Sequence, residues 1–146
     1  MLLSIALLAH LSTEWIGFSL LTPNTDALPA AVCSTTILVL ITYFLLAAYH
    51  KQARLMQTLT AMAGAITVIN LVGIPLSMWW QTTQNHTENN LIQLLLLAVA
   101  LWSVAIQGHI FRHALTISFA LGILISICFF LFTFQVINYL LPVDIS

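Results

Sequence analysis

The chain has 146 residues, of which 61% are hydrophobic and 5% charged, with three basic and four acidic side chains. Soluble domains carry about 25% charged residues, so this composition cannot build a water-facing surface. It excludes a soluble globular domain, a disordered tail and a nucleic-acid binder, which needs a basic patch, and leaves a polytopic membrane protein.

Residues 1–22 are apolar, but His10 and Glu14 stand four apart and share a helical face with Thr13 and Gly17. As a span this segment would bury Glu14 near mid-bilayer, at a cost of about 2.5–3.5 kcal/mol. As an interfacial helix it would keep both groups in water. The sequence therefore favours an interfacial helix, with a fifth span as the alternative. No basic stretch precedes the apolar run, which disfavours a cleaved signal peptide.

The run Thr22-Pro23-Asn24-Thr25-Asp26 is a dense turn signal. Residues 27–49 form the first confident span, with Pro29 in its opening turn, where proline is tolerated. Residues 50–54 are a polar turn, and residues 55–80 the second span, with Pro75 predicting a bend near 71–75. A polar loop, 81–90, follows, and then a third span, 91–108. Residues 108–113 read as a tight turn and 114–141 as the fourth span, ended by Pro142. The expected fold is a single all-α integral membrane domain over 1–146, with four spanning helices in two hairpins plus the N-terminal helix.

Lys51, Arg54 and Arg112 fall in the two connections on one side, and Asp26, Glu88 and Asp144 on the other. By the positive-inside rule the 50–54 and 109–113 turns are cytoplasmic, and the 81–90 loop and C-terminus face outward. Trp79 and Trp80 suit an aromatic belt at the outer interface. A short chain with this charge pattern reads as a bacterial inner-membrane protein, where Lys51, Arg54 and Arg112 set topology and meet headgroups.

Polar and small residues fall in stripes. The second span places Gln57, Thr60, Gly64, Thr67 and Asn70 at helical steps, the fourth Ser118, Gly122 and Ser126, and the third Ala100, Ser103 and Gln107. Such stripes are where transmembrane helices approach closely, so Thr60, Gly64, Thr67, Asn70, Ser118, Gly122 and Ser126 are candidate packing residues. The order Arg54, Thr60, Gly64 against Arg112, Ser118, Gly122 also raises an internal repeat. Cys33 and Cys128 lie in apolar runs and read as reduced packing residues.

His50, His109 and His113 gather at the cytoplasmic level beside the three basic residues. Imidazoles at spacing i, i+4 can bind metal or haem, and these three are the candidate cofactor-binding residues. No carboxylate lies on that side to orient them, so headgroup anchoring is the favoured role and no resident cofactor or metal is expected. No nucleophile with a base and no paired carboxylates appear, so no catalytic residue is assigned and the chain does not read as an enzyme.

The runs RLMQTLT at 54–60 and QGHIFRHAL at 107–115 resemble small polytopic inner-membrane proteins of proteobacteria that carry no assigned activity. The resemblance implies a multi-pass fold and transfers no functional residue. Four thin helices leave little room for an enclosed path. The leading expectation is thus a non-catalytic accessory subunit, its partners the bilayer and other integral membrane subunits. The alternatives are quinone, haem or metal binding at the cytoplasmic edge, and a small-molecule transporter built as a homo-oligomer.

Overall fold

The computed structural model describes residues 1–21, 27–82 and 86–140. They form five α-helices: α1 (Leu2–Leu21), α2 (Ala27–Ala48), α3 (Leu55–Thr82), α4 (His86–Leu115) and α5 (Phe119–Leu140). All five are long and apolar enough to cross a membrane, so the protein is an all-α, multi-pass membrane protein. The turn at 22–26, the charge markers Asp26 and Asp144, the side chain of Glu88 and the terminator Pro142 lie outside what is described.

The interfacial placement favoured for the N-terminal segment gives way to the fifth-span alternative. α1 packs along α3 and α2. It turns His10 and Thr13 inward and leaves Leu2, Ile5, Leu8 and Trp15 exposed for lipid. The sequence estimate set Glu14 against bare hydrocarbon. In the fold, Asn70 Nδ2 of α3 donates a 2.9 Å hydrogen bond to Glu14 Oε1. Near the other end of the same seam, Gln81 Nε2 donates to the Leu20 carbonyl at 3.1 Å. Polar partners on α3 are what let α1 join the bundle.

Helix ends also depart from the predicted span ends. α3 has 28 residues and α4 has 30, so at about 1.5 Å per residue both exceed a hydrocarbon core of about 30 Å. Polar residues end the buried stretch but not the helix, which continues into headgroups and water. α3 runs on through Pro75, and α4 continues through the predicted turn at 108–113 to end at Leu115.

The stops of α2 and α4 share one device. His50 and Thr116 adopt positive φ, 55° and 58°. The next amide reaches back five residues in each case, Lys51 to the Leu46 carbonyl at 2.7 Å and Ile117 to the Arg112 carbonyl at 3.2 Å. These are Schellman-type C-caps closed without glycine. They also place His50 opposite Thr116, so the suspected Arg54–Arg112 repeat is out of register: Arg54 precedes α3, whereas Arg112 lies in the last turn of α4.

Neighbouring helices pack in the order α1–α2–α5–α4–α3 and back to α1, a closed ring, with α2 also touching α3. The densest apolar core, with Leu46, Met62, Phe111 and Leu115, lies at the end carrying the 50–54 and 116–118 turns. At that end Arg54 Nη1 donates to the His113 carbonyl at 2.9 Å, tying the α2–α3 turn to the C-terminus of α4.

Candidate functional site

A partly open, mostly apolar cavity of about 340 Å³ is lined by residues of all five helices. Its polar side chains are His10 and Glu14 of α1, Ser34 of α2, Asn70 of α3, Ser103 and Gln107 of α4, and Thr133 and Asn138 of α5. Its apolar wall includes Phe18, Leu38, Ile66, Phe129, Phe130 and Phe134. Measured along each helix from the 50–54 end, His10 and Gln107 lie about 12 Å up, Glu14 and Ser103 about 18 Å and Asn70 about 22 Å. The polar shell is therefore at mid-membrane depth, above the floor of Leu46, Met62, Phe111 and Leu115.

Most hydroxyls in the spans are satisfied within their own helix. Thr13, Thr35, Thr58, Thr60, Thr67 and Ser77 each donate to a carbonyl one turn back, as polar side chains in hydrocarbon should. Among the described residues, Thr42 and Ser126 are buried without a partner elsewhere in the bundle, and three more such residues line the cavity. His10 is 1% exposed, and neither of its ring nitrogens has a hydrogen-bond partner among the described residues. Its Nδ1 stands 4.0 Å from Glu14 Oε1. Gln107 donates from Nε2 to Ser103 Oγ at 3.0 Å, while its Oε1 is buried and unpartnered. Thr133 Oγ1 is likewise buried without a partner. Each such group carries an unmet desolvation cost of about 1–3 kcal/mol, and three of them converge on one cavity.

A smaller groove of about 190 Å³ lies between α1 and α3, lined by Gly17, Gly73, Ile74 and Ser77 and sharing Glu14, Phe18 and Asn70 with the main cavity. A Cβ built on Gly17 or Gly73 would meet nothing within 4 Å, so these glycines leave open room. The Glu14–Asn70 pair is thus bordered on two sides by space.

The candidates drawn from the sequence are distributed unevenly. Of the packing set, Asn70 bonds across to α1, and Gly122 lies so close to Gly108 of α4 that a Cβ there would run into the Gly108 carbonyl. Ser126 is fully buried, and Ser118 accepts the Leu121 amide as the N-cap of α5. Thr60 and Thr67 bond their own helix, and Gly64 has no neighbour within 4 Å of a built Cβ. The rings of His109 and His113 meet edge to face with centroids 4.6 Å apart, both exposed. His50 does not join them: among the described residues no three histidine, cysteine or acidic side chains form a group that could hold a metal ion. Lys51, Arg54 and Arg112 lie at the same end of the bundle, with Arg54 engaged at α4. Cys33 and Cys128 are free thiols.

Only half of the site is legible in the sequence. In the sequence the His10–Glu14 face, the Ser103–Gln107 face and Asn70 stand on separate helices, with nothing local to join them. Ser34, Thr133 and Asn138 were not singled out. The usable signal was Glu14 itself, because an ionisable residue within an apolar span marks an interior site by default.

No family model, curated protein or solved structure matches the chain.

Proposed function

We propose that the protein binds a small, largely apolar molecule with a polar head inside the membrane. The observation that carries this reading is His10, buried with both nitrogens unpartnered against a cavity shared by every helix. The cavity volume lies in the range of small-molecule sites, about 300–1,000 Å³, and its few polar groups converge within aromatic and aliphatic walls, as such sites do. The accessory-subunit expectation rested on four helices too thin to enclose anything. Five helices around a cavity instead support ligand binding in the bundle centre.

The reading places the protein in a bacterial inner membrane, with the 50–54 and 116–118 turns in the cytoplasm. Lys51, Arg54 and Arg112 support that orientation. The floor of the cavity then faces the cytoplasm and its polar shell lies at mid-membrane depth.

Native mass spectrometry of protein released directly from membranes tests the proposal. The expected result is a bound small molecule that is lost when Ser34→Phe fills the cavity and kept when exposed Leu121→Phe adds the same ring outside. Release of bare polypeptide from wild type, or an adduct indifferent to Ser34→Phe, would refute it.

A further inference from the structure

We infer that the ligand is an amphipathic organic cation, a protonated amine on an apolar body, whose ammonium group sits against Glu14. The inference rests on the proposed binding function and adds the chemical class. Asn70 already donates to Glu14, and Gln107 already donates to Ser103. The Glu14 carboxylate is partly exposed and keeps further lone pairs for a ligand, while the unpartnered Gln107 Oε1, His10 nitrogens and Thr133 hydroxyl are buried in the cavity wall.

Charge points the same way. The cavity lining contains no lysine or arginine, and Glu14 is its one acidic side chain. A carboxylate bonded to a neutral amide in hydrocarbon is only partly compensated, and a ligand cation would complete its pairing. Phe129, Phe130 and Phe134 line the same cavity. Aromatic faces attract ammonium groups, most strongly where water is excluded, and also accept an apolar tail. An anionic ligand would meet the Glu14 charge with no lysine or arginine in the lining and only His10, 4.0 Å from Glu14, beside it. A neutral ligand would add no charge to the hydrogen bond that the carboxylate already accepts from Asn70.

The test uses three probes with one apolar body in wild-type protein held in lipid nanodiscs: 4-phenylbutylammonium, 4-phenylbutanol and 4-phenylbutanoate, titrated calorimetrically with the Ser34→Phe variant as blank. The ammonium is expected to bind saturably and at least tenfold more tightly than the alcohol, and the carboxylate not to bind. Glu14→Gln should bring the ammonium down to the affinity of the alcohol. That variant keeps an oxygen for Asn70 Nδ2, and gel filtration checks that it remains folded. Equal binding of ammonium and alcohol, tighter binding of the carboxylate, or an ammonium preference that survives Glu14→Gln would overturn the cation while leaving the cavity as a binding site. If no probe binds, the cation inference fails alone when the native adduct is still displaced by Ser34→Phe. The binding function fails with it when no adduct exists.

Discussion

Glu14 and Asn70 are 56 positions apart and meet through one hydrogen bond. Removing either partner leaves the other unpaired inside the bundle. Asn70→Ala should destabilise the folded protein by about 1–3 kcal/mol, and Glu14→Gln far less. In a double-mutant cycle, Glu14→Ala and Asn70→Ala should couple by about 1 kcal/mol, the usual scale of interhelical hydrogen bonds in membranes. Strict additivity, measured by unfolding in mixed micelles, would show that the pair contributes nothing. Thr116 supplies a different kind of residue-scale test. It holds φ at 58°, where a β-branched side chain is strained and glycine is not. Thr116→Gly should therefore stabilise the α4–α5 turn, by about 0.5–1 kcal/mol, and raise the thermal midpoint. A lowered midpoint would mean that the Thr116 side chain contributes more than its backbone costs.

At the scale of helices, the two glycines once placed in equivalent stripes behave oppositely. A Cβ on Gly122 collides with the Gly108 backbone, whereas one on Gly64 meets open space. Gly122→Leu should break the α4–α5 hairpin and cut recovery from mild detergent severely, while Leu121→Ala, on the exposed side, should not. Gly64→Ala should be neutral or stabilising by up to about 1 kcal/mol, since alanine is the better helix former. Equal recovery of Gly122→Leu and Leu121→Ala would remove the close approach from the account. The contrast also shows what the sequence could reveal. Hydropathy and turn residues located the helices, because those signals are local. Periodicity put His10 with Glu14 and Ser103 with Gln107, because i, i+4 is also local. It could not give the rotation of one helix against another. Gly64 and Gly122 therefore looked alike, and the neighbours of Glu14 were not visible from its own segment. Gly108 was read as a turn because glycine serves both turns and tight packing, and its partner Gly122 decides which.

For the whole molecule, five spans in series put Leu2, Gln52 and His113 at one end of the bundle and Thr82 at the other. Single-cysteine labelling in a background lacking Cys33 and Cys128 should find positions 2, 52 and 113 protected from an impermeant thiol reagent in intact cells, and position 82 reactive. Labelling of position 52 from outside would invert the orientation. Phe111 is unsuited to such a test despite its place near the turn, because it is 0% exposed in the core. Replacing the peripheral His50, His109 and His113 together with Gln should leave assembly intact, and loss of the folded species on gel filtration would give them a structural role. The floor beneath the cavity has a consequence for traffic. Leu46, Met62, Phe111 and Leu115 close one end of the ring with fully packed side chains. With that packed layer beneath the cavity, the proposed site works as a cup rather than a tunnel. Whatever enters can leave by the rim or sideways between helices, but reaching the far leaflet would require the most tightly packed layer of the protein to come apart. If the proposed binding function holds, such a cup would store, present or sense its contents from one end, and its working cycle would be a filling and an emptying.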